Sequence, residues 1–358
     1  CGLEHGWRLG GSIMLKRLLK RIFGIKTETS TDVSVHAPLD FNTVPHAQSV
    51  QVAKTEQQFD YPIPVEDIQD VDDPECRTHY VQCANTSGLH NMAYHEWGDP
   101  NNQNVLICVH GLTRRGSDFK VLAKAMSDRY RVICPDVVGR GDSDWLPNPM
   151  LYGIPQYVAD MVTLIARLGV QKVDWFGTSM GGLIGIFLAS QEHSPIRRMI
   201  LNDVGPKIES AALKRLGDYV GKPLRFESKK EGLLYLNRIC APFGDFTPEQ
   251  WKDYNGPHLK KDGAEWILHY DPDISKPFAA VTVATAVMGE MMTWKAYEAI
   301  QADMLVVRGG DSDLLSAKTV ADMCHRNPRA RSIEIPGVGH APAFITPEQV
   351  SLAREFYS

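Results

Sequence analysis

Residues 175–182 read Trp175-Phe-Gly-Thr-Ser-Met-Gly-Gly182 and contain the pattern Gly177-x-Ser179-x-Gly181, the most informative feature of this chain. A β-like run, residues 172–176, leads into it, and an apolar helix-compatible run leads out of it. A serine in a sharp strand-to-helix turn exposes its hydroxyl, and glycines two positions before and after it leave room for the turn. The helix that begins behind the serine offers N–H groups and a positive dipole end to a developing oxyanion. The stretch therefore predicts a nucleophilic serine.

Around this turn, short β-like runs alternate with helix-compatible stretches from about residue 77 onward. Strands are predicted at 77–84, 91–97, 104–109, 130–135, 172–176, 198–202, 303–308 and 331–335. Helices are predicted at 117–128, 155–168, 180–190, 316–326 and 347–357. This alternation predicts an α/β fold with a mostly parallel eight-stranded sheet and helices on both faces. The first two strands, joined through Ser87-Gly88, predict an antiparallel hairpin at one edge.

The alternation breaks in residues 206–300, which contain short helical patterns, scattered prolines and many aromatic residues. This segment lies between two sheet strands, so we predict a helical cap inserted into a core of residues 77–205 and 301–358. Ligands of open α/β sheets bind outside the carboxyl ends of the strands, where such a cap would close the site. The aromatics and three methionines (Met288, Met291 and Met292) indicate a pocket for an apolar acyl or alcohol group, although most of the aromatics are expected to form the cap's own core.

Residues 1–76 are predicted to form an N-terminal extension. Within it, residues 14–26 have the pattern of a basic amphipathic helix, and the polar residues after them read as a linker that becomes acidic. The helix either docks its apolar stripe on the protein or on another subunit, or lies on an anionic membrane surface. The chain begins at Cys1 and its first methionine is Met14, which leaves open whether residues 1–13 belong to the native protein.

The charge and the cysteine content of the chain argue against several classes of function. The chain has 358 residues and a formal net charge of -5, so it lacks the basic surplus that nucleic-acid binding requires. Its seven cysteines are widely spaced and include no C-x-x-C pair, which implies neither a disulfide framework nor a thiolate metal site. We therefore expect a cytoplasmic protein, peripheral to a membrane if residues 14–26 bind lipid, with no metal ion or organic cofactor. Oligomerisation stays open.

A serine nucleophile needs a general base, and His340 is the best-placed histidine. It lies in the turn Pro336-Gly-Val-Gly-His-Ala-Pro342, between the last predicted strand and the C-terminal helix. His110 follows another strand and is expected to hold its loop rather than to transfer protons. In the turn His110-Gly111-Leu112, the Leu112 N–H is expected to form an oxyanion hole with the N–H of Met180.

The base needs an acid to orient it, and three aspartates compete for this role. Asp313 and Asp311 follow the apolar run that begins at Asp303; we favour Asp313 and place Asp311 second. Asp203, which ends the preceding strand, is the third candidate and is interpreted as a carboxylate that ties down the start of the cap. The order Ser179, Asp313, His340 is the one associated with a nucleophile elbow.

In these motifs the chain from about residue 77 to 357 resembles the α/β-hydrolase superfamily, in its capped branch. The matching segments are His110-Gly111-Leu112, Gly139-Arg-Gly-Asp-Ser143, Gly177-Thr-Ser-Met-Gly181, Arg308-Gly-Gly-Asp-Ser-Asp313 and Gly337-Val-Gly-His340. The resemblance implies Ser179 as nucleophile, His340 as base and Asp313 as its acid, with Leu112 and Met180 as oxyanion donors. A serine at 179 differs from the aspartate of epoxide hydrolases and haloalkane dehalogenases. The segment after His110 lacks the Gly-rich loop of many ring-fission hydrolases.

These features predict a serine hydrolase of the carboxylesterase type that acts on short to medium apolar acyl esters through an acyl-enzyme. A hydrolase of carbon–carbon bonds in ring-cleavage products is the first alternative, in which Arg114 or Arg115 would bind a substrate carboxylate. We interpret both arginines more simply as exposed or in surface ion pairs. A non-catalytic binding protein on a hydrolase scaffold is the alternative from another class.

Overall fold

A computed structural model describes residues 73–358. Its main sheet has eight strands in the order β1-β2-β4-β3-β5-β6-β10-β11. The strands are β1 (Arg77–Asn85), β2 (Gly88–Trp97), β3 (Val105–Val109), β4 (Arg131–Pro135), β5 (Val173–Thr178), β6 (Ile196–Asn202), β10 (Asp303–Gly309) and β11 (Ala330–Ile335). β1 and β2 form an antiparallel hairpin, β2 also runs antiparallel to β4, and the other pairs are parallel. The predicted mostly parallel eight-stranded sheet is confirmed.

Ten α-helices lie in the described residues. They are α1 (Lys120–Met126), α2 (Ile154–Leu168), α3 (Met180–Ala189), α4 (Ser210–Gly217), α5 (Lys229–Cys240), α6 (Pro248–Asn255), α7 (Lys276–Ala279), α8 (Val283–Ala299), α9 (Ala317–Arg326) and α10 (Pro347–Phe356). Five of these helices begin after a serine or threonine whose hydroxyl accepts a backbone N–H of the first turn, namely Ser228, Thr247, Thr282, Ser316 and Thr346. None of the helices described is long and apolar enough to cross a membrane.

The sheet is buried on both faces, as β3 shows most clearly. Its residues alternate between two hydrophobic clusters, because successive side chains of a strand point to opposite faces. Val105, Ile107 and Val109 pack into the cluster that contains residues of α2, α3, α8 and α9. Leu106 and Cys108 pack into the cluster that contains residues of α1 and α10. Helices therefore cover both faces, as the continuous apolar run in the sequence indicated.

Between β6 and β10 the chain leaves the sheet, in the segment that was predicted to form a cap and that we call the cap. This segment contains α4 to α8 and a small antiparallel sheet, in the order β7-β9-β8, formed by β7 (Arg225–Phe226), β8 (Leu259–Asp262) and β9 (Glu265–Leu268). The small sheet was not predicted, because its strands are two to four residues long. The last turns of α8 pack on the core: the Tyr297 hydroxyl donates to the Met323 carbonyl of α9 at 3.1 Å.

The predicted N-terminal segments, including the basic helix of residues 14–26 and most of the 1–76 extension, lie outside the described residues.

Candidate active site

Ser179 lies between β5 and α3 in a left-handed backbone conformation, with φ 51° and ψ -114°. Few non-glycine residues adopt such a conformation, so it is strained, and its N–H is held by the Asn202 carbonyl at 3.0 Å. The flanking glycines are required by close approach. A Cβ on Gly181 would overlap the Val109 carbonyl, and a Cβ on Gly177 would overlap the backbone of Gly181. The Gly177-x-Ser179-x-Gly181 pattern thus aims the serine hydroxyl outward from the sheet.

His340 contacts Ser179 on one side of its ring and Asp203 on the other. Its Nε2 lies 3.0 Å from Ser179 Oγ, and its Nδ1 lies 2.7 Å from Asp203 Oδ2. An Nδ1–H that donates to a carboxylate leaves Nε2 free to accept the serine proton. The three side chains are therefore hydrogen-bonded in the order expected of a nucleophile, a base and an acid.

Asp203 follows β6 directly, and its carboxylate is fully buried. The Gly309 N–H donates to its Oδ1 at 2.8 Å, and the Ser312 hydroxyl donates to its Oδ2 at 2.6 Å. Its own N–H is bound by the Val307 carbonyl at 2.8 Å. With φ 54°, Asp203 turns the chain away from the sheet and points its carboxylate across the end of β10 towards His340.

Our preference for Asp313 as the partner of His340 is therefore wrong. The Asp313 carboxylate forms a two-point ion pair with Arg215, at 2.6 and 2.9 Å. Asp311, the second candidate, is exposed, and its backbone N–H donates to the Val338 carbonyl. The loop after β10 contributes Ser312 instead, whose hydroxyl supports Asp203. Asp203 was interpreted as a carboxylate that only holds the start of the cap in place, and this interpretation is also wrong.

The expected oxyanion donors lie beside the serine. Met180 is the first residue of α3, so its N–H is one of the helix-terminal donors that have no acceptor within the helix. Leu112 and Gly111 line the same cavity as Ser179 and His340. The neighbouring Gly181 N–H is not available, because it donates to the His110 carbonyl at 3.1 Å.

His110 holds this loop from inside the protein. The Val137 N–H donates to its Nε2 at 2.9 Å, which leaves its Nδ1–H to donate to the Gly111 carbonyl at 2.7 Å. Complete burial lowers the pKa of His110 to about 4. The imidazole is therefore neutral near pH 7, and both of its nitrogens are occupied by backbone groups.

Arg140 is a site residue that the sequence reasoning missed. Its fully buried guanidinium donates to the Leu112 carbonyl at 2.9 Å through Nε, to the Val138 carbonyl at 2.7 Å through Nη1, and approaches Met180 Sδ at 3.6 Å through Nη2. It thereby contacts both residues expected to bind the oxyanion. A buried arginine in the sequence Gly139-Arg-Gly is not distinguishable from an exposed loop arginine without the tertiary structure.

The cavity above Ser179 is walled mainly by the cap. Its apolar and aromatic lining residues are Leu112, Leu216, Tyr219, Tyr235, Leu236, Ile239, Phe243, Tyr254, Leu268 and Tyr270. The expected contribution of Met288, Met291 and Met292 is not observed, because these side chains are exposed on α8 and do not line this cavity.

Arg114 and Arg115 are buried rather than exposed, and each is held by carboxylates of the protein. Arg114 binds Asp118 at two points, 2.8 and 2.7 Å, and its Nη1 donates to Asn255 of the cap at 2.8 Å. Burial would raise the pKa of Asp118, but Arg114 outweighs it and keeps that pKa well below its usual range. Arg115 binds Asp142 at 2.6 Å and Asp136 at 3.3 Å. These pairs fasten the loop after β3 to its surroundings.

Two side-chain groups in residues 73–358 have the composition of metal ligands, and neither lines this cavity: Cys83, His90 and Asp160, and His95, Asp136 and Asp142. In the first group, burial and Asp160 raise the pKa of the Cys83 thiol to about 12, which disfavours the thiolate a metal would bind. In the second group, Arg115 bonds to both carboxylates. Burial would lower the pKa of His95, but Asp136 outweighs it and raises that pKa to about 10, so that the imidazole is protonated near pH 7. Both groups therefore fit hydrogen-bonded and ion-paired structural clusters.

Comparison with known proteins agrees with this fold. A profile described as the alpha/beta hydrolase family matches residues 106–352. The chain is 54% identical over 286 residues to a 3-hydroxybutyrate-oligomer hydrolase of Cupriavidus necator, covering 79% of this chain and 98% of that protein. It is 25% identical over 254 residues to a 2-(acetamidomethylene)succinate hydrolase of Mesorhizobium japonicum, covering 68% and 84%. A crystal structure of an alpha/beta hydrolase from Novosphingobium aromaticivorans superposes with a TM-score of 0.69 at 32% identity, covering 79% of this chain and 98% of that one.

The matched residues include the Ser179 turn and the His340 loop, and the match spans most of the described chain. The chain belongs to the alpha/beta hydrolase family.

Proposed function

We propose that this chain is a serine hydrolase that cleaves the ester bonds of short hydroxy-acid oligomers, with oligomers of 3-hydroxybutyrate as the first candidates. The observation that carries the proposal is the hydrogen-bonded series Ser179, His340 and Asp203 at the floor of the capped cavity. An oligomer of a hydroxy acid is a chain of carboxylic esters, so the relative from Cupriavidus necator supports the same bond type.

In the proposed reaction, Ser179 Oγ attacks the ester carbonyl while His340 Nε2 takes its proton. Asp203 holds the imidazole in the required tautomer and stabilises the imidazolium that forms. The tetrahedral intermediate collapses, the carbon–oxygen bond to the alcohol breaks, and His340 protonates the leaving alkoxide. Water, deprotonated by His340, then attacks the acyl-enzyme and releases the acid, which restores the Ser179 hydroxyl.

The Leu112 and Met180 N–H groups are proposed to bind the oxyanion of both tetrahedral intermediates. Both belong to rigid elements: Met180 begins α3, and the Leu112 loop is held by His110 and Arg140. Preorganised donors of this kind are each worth about 3 kcal/mol of transition-state stabilisation.

The cavity suits a substrate with short, branched apolar segments. Tyrosine, phenylalanine and leucine side chains line it, and the charged Arg114 and Asp118 at one wall are already paired with each other. Arg114 and Arg115, which the carbon–carbon hydrolase alternative would use to bind a substrate carboxylate, are both buried and engaged with carboxylates of the protein.

The test is hydrolysis of 3-hydroxybutyrate dimer and trimer, and of p-nitrophenyl esters of increasing acyl length, by the wild type and Ser179→Ala. We expect Ser179→Ala to lose at least about 10⁴-fold in kcat, because triad members act as a unit. Ser87→Ala, in the exposed hairpin turn, is the matched control and should keep full activity.

A folded Ser179→Ala variant with substantial activity would overturn the mechanism. Turnover of none of these esters, with Ser179 still labelled by a fluorophosphonate, would move the assignment to carbon–carbon bond substrates. A serine that fails to react with the probe would instead favour the non-catalytic binding protein.

A further inference from the structure

Arg215, which lines the cavity, belongs to an ion pair that has no part in the proposed chemistry. Arg215 of α4 in the cap donates through Nε and Nη2 to the two carboxylate oxygens of Asp313, at 2.6 and 2.9 Å. The two side chains are 36% and 38% exposed, so solvent and small solutes reach them. The pair links the cap to the loop after β10, next to the Ser312 hydroxyl that supports Asp203.

Arg215 lies in the same cavity lining as Ser179 and His340. The other arginine of this lining, Arg114, is buried and bound to Asp118 and Asn255. Arg215 is thus the more accessible of the two cations. Because its ion pair uses Nε and Nη2, the two N–H bonds of Nη1 lie outside that pair.

Tyr219, one turn further along the chain, adds a neutral donor to the same wall. Burial raises the pKa of Tyr219 to about 12, although Arg215 opposes the rise, so its phenol keeps its proton near pH 7. A guanidinium and a phenol beside each other, above an apolar cavity, match the polar end of an otherwise apolar anion.

We propose that Arg215 binds the free carboxylate of the oligomer, on the leaving-alcohol side of the scissile ester, and that Asp313 holds the guanidinium in place. This inference rests on the proposed function. It specifies the substrate as an ester that carries a carboxylate on its alcohol part, separated by a short carbon chain from the bond that is cleaved. In a dimer of a hydroxy acid, the leaving alcohol carries this carboxylate. Asp313 keeps the subsite close to neutral, so that the anionic product is not retained.

The experiment compares 3-hydroxybutyrate dimer with its primary amide, which has the same shape and no charge. In the Arg215→Gln variant, the ratio of kcat/KM for the acid to kcat/KM for the amide should fall about 10- to 100-fold, the usual effect of losing a hydrogen bond to a charged group. Lys214→Gln removes a positive charge from an exposed position of the same helix and should leave the ratio unchanged.

Loss of Arg215 also leaves Asp313 unpaired, and that charge could itself repel the acid. The double variant Arg215→Gln/Asp313→Asn separates the two effects, because it removes both charges together. We expect the ratio to stay low in the double variant. Recovery of the wild-type ratio would show that Asp313 repels the substrate and that Arg215 does not bind it, which would overturn the proposal.

Binding to Ser179→Ala, measured by calorimetry with the uncleaved acid and amide, gives a readout that does not depend on turnover. Preference for the acid should be present in Ser179→Ala and lost in Ser179→Ala/Arg215→Gln. If both compounds are hydrolysed and Arg215→Gln does not change the ratio of kcat/KM for the acid to kcat/KM for the amide, the carboxylate subsite is contradicted. The proposed esterase activity would still stand. Neither turnover nor binding of either compound would overturn both.

Discussion

Asp203 and Asp313 differ in what surrounds their carboxylates, and this difference decides which of them can orient His340. Asp203 is buried, receives three hydrogen bonds and has no arginine or lysine bonded to it in the described residues. Asp313 is more than a third exposed and bound at two points by Arg215, whose ion pair lowers the pKa of Asp313. A carboxylate that is neutralised by a guanidinium stabilises an imidazolium poorly, because its charge is already compensated.

At this scale we expect Asp203→Asn to lower kcat by about 10⁴-fold, because the amide favours the wrong imidazole tautomer while the geometry persists. Ester hydrolysis by the purified variant, with fluorophosphonate labelling of Ser179 as a second readout, measures the loss. Asp311→Asn changes an exposed aspartate in the loop after β10 and is the control. Its kcat should stay within about twofold of the wild type.

Asp313→Asn is expected to lose far less than Asp203→Asn on a neutral p-nitrophenyl ester. If its loss equalled that of Asp203→Asn, the assignment of Asp203 as the orienting acid would fail.

Among the elements, the loop that follows β4 supports the proposed oxyanion hole without lining the cavity. Arg140, in this loop, donates to the Leu112 carbonyl in the turn after β3. It also contacts Met180 Sδ at the start of α3. The Tyr157 hydroxyl of α2 accepts from Arg140 Nη1 at 2.9 Å, and the Tyr152 and Tyr157 rings lie near its guanidinium. One buried side chain thus holds two loops and two helices together.

We expect Arg140→Met to lower kcat by about 10- to 100-fold with a smaller change in KM, since loosening a backbone donor costs less than removing one. The measurement is steady-state hydrolysis of a p-nitrophenyl ester, read beside a thermal unfolding curve. Arg129→Met, at an exposed surface ion pair, is the matched control. Arg140→Lys should recover part of kcat, because it keeps one donor. A folded Arg140→Met variant with wild-type kcat would rule out this positioning role.

At the scale of the whole molecule, two buried histidines make folding stability depend on pH. Burial lowers the pKa of His110 to about 4 and that of His258 to about 3, whereas both return towards 6.5 when the chain unfolds. Below the unfolded pKa the unfolded chain therefore binds more protons than the native one. The stability that the two neutral histidines contribute is fully present above the unfolded pKa of 6.5. It is lost as the pH falls towards their pKa values in the folded protein.

Between about pH 7 and pH 5 we expect His110 alone to lower the free energy of unfolding by about 2 kcal/mol. Urea unfolding across this range measures the slope. His110→Gln should be less stable at pH 7 and show a shallower acid dependence, since it keeps an acceptor for the Val137 N–H but does not titrate. His193→Gln, at an exposed position, should keep the wild-type slope. An unchanged slope in His110→Gln would contradict this account.

The architecture and two of the three residues of the candidate triad could be predicted from the amino-acid sequence. Strands such as Val105–Val109 are short apolar runs between turn residues, and their burial on both faces follows from that composition. Ser179 and His340 could be located because each lies in a local signal: glycines that permit a strained turn, and a Gly- and Pro-bounded loop after the last strand. Local backbone requirements of this kind depend on neighbouring residues, so they can be recognised in the sequence.

Residues whose partners are distant along the chain could be assigned only from the folded structure. Asp203 and Asp313 both follow strands, and the pairing of β6 and β10 with Arg215 of the cap determines which carboxylate is left for His340. Arg140 and Arg114 likewise acquire their roles from groups brought close by folding. Ion pairs and hydrogen bonds select their partners by distance in space, and separation along the chain carries almost no information about that distance.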